Sequence, residues 1–234
     1  MKNMKIRRSG ERGHFNHGWL ESYHTFSFAD YHNPKHMNFR SLRVINEDHV
    51  APGQGFGAHP HRDMEIITYL IDGSLRHEDN MGNGSVIKPG DIQKMSAGTG
   101  VVHSEFNASK ETSAHLLQIW ILPDTKGLKP SYEQISKADL TKSENLTLIG
   151  AKTKQAGIIS IHQDVRLYYA SPKKGKKYLF EIEPSRALWI QMIRGEIGIH
   201  SESIRPGDGV AVEGEKTVEI NAGKDSEFLL FDLA

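Results

Sequence analysis

Short apolar runs closed by Gly, Pro, Asn or Asp recur along the whole sequence, at 41–46, 65–71, 93–96, 115–122, 187–193, 196–200, 209–212 and 227–233. Each is about as long as an average strand and has turn residues at its ends. Between 116 and 122, Leu117, Ile119 and Ile121 share one face when the backbone is extended. Strands this closely spaced leave no room for crossover helices, so the pattern predicts a sandwich or barrel rather than βαβ units. Helical signal is sparse. Its best segment is 131–138, preceded by Pro130 and lying in the polar stretch 123–143, which reads as a connection between domains.

The flanks of that connection share a rhythm. Tyr69-Leu70-Ile71-Asp72-Gly73-Ser74-Leu75 is followed by Ile87-Lys88-Pro89-Gly90-Asp91-Ile92. Further on, Gln191-Met192-Ile193-Arg194-Gly195-Glu196-Ile197 is followed by Ile204-Arg205-Pro206-Gly207-Asp208-Gly209. In both, an apolar strand meets a glycine, resumes, and later reaches a Pro-Gly-Asp turn. A tight hairpin there demands positive φ at Gly73 and Gly195. The chain is therefore predicted to be all-β and duplicated: a first barrel over 1–130, a connecting segment over 131–150 and a second barrel over 151–234. Its 234 residues suffice for both cores.

Composition narrows the chemistry. The 29 Lys and Arg balance 29 Asp and Glu, so no bulk charge draws the protein to nucleic acid or an anionic membrane. Lys173-Lys174-Gly175-Lys176-Lys177 reads as a solvated turn. With no cysteine, disulfides, thiolate metal centres and a thiol nucleophile are excluded. Residues 1–13 are basic but have no apolar run behind them, and no run approaches 18 apolar residues. A cytoplasmic protein without signal peptide or membrane helix is expected. The 13 histidines stand out, more than half of them between His14 and His61.

Residues i and i+2 of a strand point the same way, so His59 and His61 can present two imidazoles to one point. His103 and Glu105 repeat the spacing with an imidazole and a carboxylate. A lone histidine, or a lone His-x-His, is more often a separate polar position on the surface. Two such pairs, each behind glycine-rich turns (Gly53-Gln54-Gly55 and Ala97-Gly98-Thr99-Gly100), point instead to one divalent metal ion with an open coordination position. Phe56, Met64, Met95 and Val102 are candidates for the pocket wall, though each could be plain core. His14, His17 and His24 read as surface or core hydrogen bonders, Asn107 as a turn or strand residue, and His115 as a satisfied core histidine.

Gly53-x5-His59-x-His61-x3-Glu65, with Gly73 after it, resembles the first cupin motif. Gly90-Asp91-x4-Ser96-x-Gly98-x4-His103-x3-Asn107 resembles the second. Ser96 stands where many cupins have proline, and Gly73 lies one position later than the strictest pattern. The fuller runs His59-Pro60-His61-Arg62-Asp63-Met64-Glu65 and Met95-Ser96-Ala97-Gly98-Thr99-Gly100-Val101-Val102-His103-Ser104-Glu105 resemble the pirin family, including bacterial members with quercetin 2,3-dioxygenase activity. The likeness extends from Trp19 and Ser27-Phe28-Ala29-Asp30 to Leu229-Leu230-Phe231-Asp232.

That resemblance implies a bicupin, two double-stranded β-helix (jelly-roll) barrels in one chain. It implies a metal held by His59, His61, His103 and Glu105, with Glu65 either orienting a ligand imidazole or structural, and the second barrel without metal. Fe(II) is the ion it suggests; Mn, Co, Ni, Cu and Zn suit the same donors. The implied reaction is O2-dependent ring opening of a flavonol such as quercetin, with release of CO and with Glu105 as general base. The alternative it carries is a redox-sensing regulator acting through a protein partner. A monomer is the family-based expectation.

Overall fold

The runs marked as extended by the sequence are strands. The computed structural model describes residues 3–140 and 146–234. The chain forms two compact units, one of Gly13–Lys137 with Ile159–Gln163, the other of Met1–Arg12, Ala138–Ile158 and Asp164–Ala234. The first strand, β1 (Met4–Arg7), thus belongs to the second unit.

The first unit contains β2 (Gly13–Asn16), β3 (Leu20–His24), β4 (Leu42–Val50), β5 (Gly55–His61), β6 (Glu65–Asp72), β7 (Leu75–Asp79), β8 (Gly84–Ile87), β9 (Ile92–Ser96), β10 (Val101–Asn107), β11 (Ala114–Ile121) and β12 (Ser131–Ile135). One seven-stranded sheet runs β12-β9-β6-β11-β4-β3-β2 and a four-stranded sheet runs β5-β10-β7-β8. Both sheets contribute walls to a single cavity. Leu20, Val50, Leu70, Leu75, Ile87, Ala114 and Leu116 pack together beside Trp19 and Phe56. Burying each of the Leu, Val and Ile side chains is worth about 1.5–3 kcal/mol, which holds the two sheets around the cavity.

The second unit repeats the plan with β13 (Thr147–Ala151), β15 (Val165–Ala170), β16 (Lys177–Glu181), β17 (Ala187–Arg194), β18 (Ile197–Ile199), β19 (Glu202–Ile204), β20 (Gly209–Glu213), β21 (Thr217–Ala222) and β22 (Glu227–Leu233); β14 (Ile159–Ser160) lies with the first unit. Its interior is filled. Leu188, Ile190, Met192, Val210, Val212, Phe228 and Leu230 form one apolar cluster. The duplicated glycines do what the hairpins require: φ is +85° at Gly73 and +78° at Gly195. A Cβ added at either would lie 2.6 Å from Ser113 O or 2.1 Å from Asp225 O.

Three expectations change. The expected helix over 131–138 is mostly β12, which pairs antiparallel with β9 from Ser131↔Ser96 to Ile135↔Ile92; only Lys137–Leu140 is helical. The open edge of β9 satisfies this backbone better than an isolated short helix could. The segment placed at 131–150 as a connection therefore contributes strands to both units, while 141–145 lies outside the described residues. The boundary of the first barrel at residue 1 also moves. β1 covers the edge of β20 from Met4↔Val212 to Arg7↔Gly209. Behind it, Arg8 donates to Asp208 at 3.1 Å and to Ser203 O at 2.7 Å, and the Ser9 amide donates to Asp208 at 2.7 Å. An unpaired strand edge is a hazard for association, and this segment closes it.

Candidate metal centre

Strands β5 and β10 pair so that His59 faces His103 and His61 faces Val101. Gly55 makes the approach possible, since a Cβ there would sit 2.2 Å from Glu105 O. The register slips between His103 and Glu105, bringing Glu105 opposite Phe56. A bulge of this kind re-aims side chains beside a site. The ring centres of His59, His61 and His103 stand 4.5–4.9 Å apart, and one nitrogen from each lies within 4.8 Å of the others.

The hydrogen-bond network orients these rings. His59 Nδ1 donates to Gly57 O at 2.7 Å, which leaves Nε2 bare. Behind His103 is a residue absent from the sequence motif, His77, whose side chain is fully buried. Its Nε2 lies 3.2 Å from Asp79 Oδ2, and Gln93 Nε2 donates to its Nδ1 at 3.0 Å. His77 Nδ1 is therefore an acceptor, so the 3.4 Å contact from His103 Nδ1 places the proton on His103 Nδ1. His103 Nε2 is then a bare lone pair, buried and without a hydrogen-bond partner. Burial would raise the Asp79 carboxyl, but hydrogen bonds from Asn83, His77 and the Met81 amide hold it below its ordinary value. A charged Asp79 anchors the relay.

Burial pushes the His103 imidazole down to about 3, helped by His59, His61 and His77; burial and His59 push His61 down to about 4. Both are neutral at pH 7, the form that ligates metal. Glu105 is 2 % exposed. It accepts from Thr68 Oγ1 at 3.2 Å and from Gln118 Nε2 at 2.8 Å, and burial raises its carboxyl against the pull of His77 and those donors. Its carboxylate groups with His103 and His77 within 4.8 Å, so His103 is common to both sets of donors. An orphaned buried nitrogen, three convergent imidazoles and an adjacent carboxylate fit a divalent transition-metal ion.

Glu65 lies elsewhere. It is 1 % exposed and pairs with the buried Lys94 at 3.1 Å, accepts from Ser96 at 3.0 Å and from the His162 amide at 3.2 Å. Its hydrogen bonds go to that group and not to the candidate ligands, so the structural reading of Glu65 is the one its contacts favour. Ser96, the departure from the cupin pattern, is part of this buried cluster, with hydrogen bonds to Lys94 and Glu65.

A cavity of about 390 Å³ opens beside the imidazoles, lined by His59, His61, Glu105 and the aromatic rings of Phe28, Phe56 and Trp120. Of the expected wall residues only Phe56 takes part. Met64 and Met95 pack with Ile66 and Val101, and Val102 is 40 % exposed. His17 and His24 line the cavity, whereas His14 bonds Glu21 at an exposed edge. Asn107 is a structural knot, donating to Val50 O, Ala51 O and Thr112 O. His115 is satisfied but half-buried rather than in the core: it bonds Glu47 at 2.9 Å and stacks on His49.

The pirin family model matches residues 5–121, and a model described as the quercetinase C-terminal cupin domain matches 148–233. The Escherichia coli (strain K12) protein named quercetin 2,3-dioxygenase is 45 % identical over 228 residues, 97 % of each chain. The chain belongs to the pirin family. A pirin-like protein of Caulobacter vibrioides is 38 % identical over 224 residues, covering 95 % of this chain and 96 % of its own. The crystal structure of the E. coli bacterial pirin YhhW in complex with nickel(II) superposes with a TM-score of 0.94 at 43 % identity, covering 98 % of each chain. The bicupin fold expected from the motifs is thus the fold of a pirin.

Within this pirin, His77 is a testable support of the centre. Replacement by Phe keeps the ring volume but removes the acceptor for His103 Nδ1. Loss of such an outer partner typically weakens metal binding by about 10–100-fold. Competition against a chelator checks this, and an unchanged affinity would remove His77 from the account.

Proposed function

We propose that this pirin is a metal-dependent dioxygenase that opens the heterocyclic ring of flavonols such as quercetin, consuming O2 and releasing CO. The observation that carries the reading is the convergence of three imidazoles, two of them held neutral, beside a buried carboxylate on the wall of an aromatic-lined cavity. The Escherichia coli relatives named quercetin 2,3-dioxygenase, alike over nearly the whole chain, support the choice of substrate class.

His59, His61, His103 and Glu105 are assigned as the residues that hold the ion, and Fe(II) as the ion; the nickel(II) complex of the E. coli pirin supports a divalent transition metal at such a centre. A bound cation supplies Lewis acidity and lowers the pKa of an attached hydroxyl. Glu105 accepts the proton of the flavonol 3-hydroxyl. Its raised carboxyl makes it a better base than an exposed glutamate. Thr68 and Gln118 hold that carboxylate in place, one on each oxygen. Phe28, Phe56 and Trp120 enclose a flat aromatic ligand and keep water from it.

Incubation of the Fe(II)-loaded protein with quercetin under air tests this, with parallel samples carrying Mn, Co, Ni, Cu and Zn. CO is expected to appear in step with quercetin loss. Glu105→Gln is expected to lower kcat by about 10²–10⁴-fold, the range for removing a general base. If no CO forms with any of these metals, the assignment fails.

A further inference from the structure

Three side chains on the cavity wall have hydrogen-bonding capacity that invites a ligand. Asn46 Oδ1 and Trp120 Nε1 are buried with no hydrogen-bond partner. Asp48 is 3 % exposed and accepts from Ser22 Oγ, which also bonds His24 Nε2 at 2.8 Å. All three line the same cavity as the imidazoles.

Strand register organises them. β3, β4, β11 and β6 place His24, Asn46, Gln118 and Thr68 side by side, and Ser22 stands beside Asp48 one step further along. The row begins at Glu105, bonded to both Gln118 and Thr68. Side chains facing each other across strands stand about 5 Å apart. Asp48 follows Asn46 by two residues along β4, roughly 7 Å. The polar row therefore leads away from the candidate ligands over on the order of 10 Å, a span comparable with a two-ring aromatic ligand. Barrel interiors are ordinarily apolar, and buried polar atoms are ordinarily paired. An acceptor and a donor left unpaired on side chains that line one cavity are what a polar ligand would complete, each buried atom reaching it by a small side-chain rotation.

We propose that Asn46, Asp48 and Trp120 form a hydroxyl-reading subsite: Asn46 and Asp48 accept from phenolic hydroxyls of the flavonol beyond its 3-hydroxyl, and Trp120 donates to a ligand oxygen. The proposal rests on the flavonol reading and adds a substrate preference, for polyhydroxylated over bare ring systems. Burial pushes the Asp48 carboxyl up to about 7 despite the Ser22 hydroxyl, which eases its presence in a half-apolar cavity.

The experiment is equilibrium binding by calorimetry, under nitrogen, to the Zn(II)-loaded protein, with quercetin and 3-hydroxyflavone as the probes. Wild type is expected to bind quercetin at least about 10-fold more tightly, the worth of one well-made hydrogen bond. Asn46→Ala and Asp48→Ala, tested separately, are expected to bring the ratio to within about threefold while leaving 3-hydroxyflavone affinity in place. The isosteric Asp48→Asn variant, which replaces one acceptor by a donor, carries the same test should an alanine variant not fold. Equal weakening of both ligands, or an unchanged ratio in well-folded variants, overturns the subsite. If wild type binds both probes equally, only the subsite falls; if it binds neither, the flavonol reading falls and takes the subsite with it.

Discussion

Replacement of His103 by alanine is expected to leave the protein with less than a tenth of the metal that wild type retains after the same loading and dialysis, and without measurable flavonol turnover. The reason is its position in two sets of donors at once, one with His59 and His61 and one with His77 and Glu105. Its Nε2 is also the buried atom that the fold leaves without a partner. Losing this imidazole should cost more than the 10–100-fold typical of an outer-shell partner. His14→Ala is the matched control, because that ring bonds Glu21 at an exposed edge away from the cavity. Metal analysis of both variants decides the matter. Full metal content in the His103 variant would sink the ligand assignment, and loss in both would point to general destabilisation.

The second large effect concerns stability rather than turnover. Glu65→Leu removes the carboxylate facing a lysine that is completely buried, with Ser96 and His162 around it. Stranding one member of a buried ion pair typically costs about 3–5 kcal/mol, and Glu133, 3.9 Å from Lys94 Nζ, puts the expected loss at the lower end. The double variant Glu65→Leu/Lys94→Met should recover most of that loss, since two apolar side chains of similar size restore a neutral interior. Urea unfolding of wild type, both single variants and the double variant measures the coupling. Additive losses would show that the pair does not act as a unit.

How much of this was legible in the sequence depended on whether polarity or spacing carried the signal. Strands such as β6, β17 and β22 were readable because apolar runs met turn residues, and the observed limits lie within a residue or so of those expected. His59, His61 and His103 were readable because an i, i+2 pair shares a face whatever its surroundings. β11 shows what hydrophobicity hides. Its apolar residues Leu117, Ile119 and Ile121 are buried as expected, yet Gln118 and Trp120, on the other face, line the cavity. Asn46 and Asp48 on β4 are inward-facing polar residues of the same kind. His77 and Asp79 form an i, i+2 pair of their own, but a single pair carries little signal, and the bonds of His77 to Gln93 and His103 come from strands distant along the chain. β12 is hidden from local propensity because its pairing partner, β9, lies about forty residues upstream (Ser131↔Ser96 to Ile135↔Ile92), and propensity does not report a distant edge.

The pairing of β1 with β20 has a consequence for the order in which the molecule is made. Residues 4–7 are translated about two hundred residues before their partners at 209–212. Domains tend to fold as units during synthesis, the N-terminal one first. Here the unit of residues 13–137 has nearly all its strands early, while the other must wait for its last strands before the earliest one can dock. Closing so long a loop adds little equilibrium penalty, because the entropy grows only logarithmically with length, but it delays completion. The half of the protein that carries the candidate metal centre can therefore mature while its companion is still being translated.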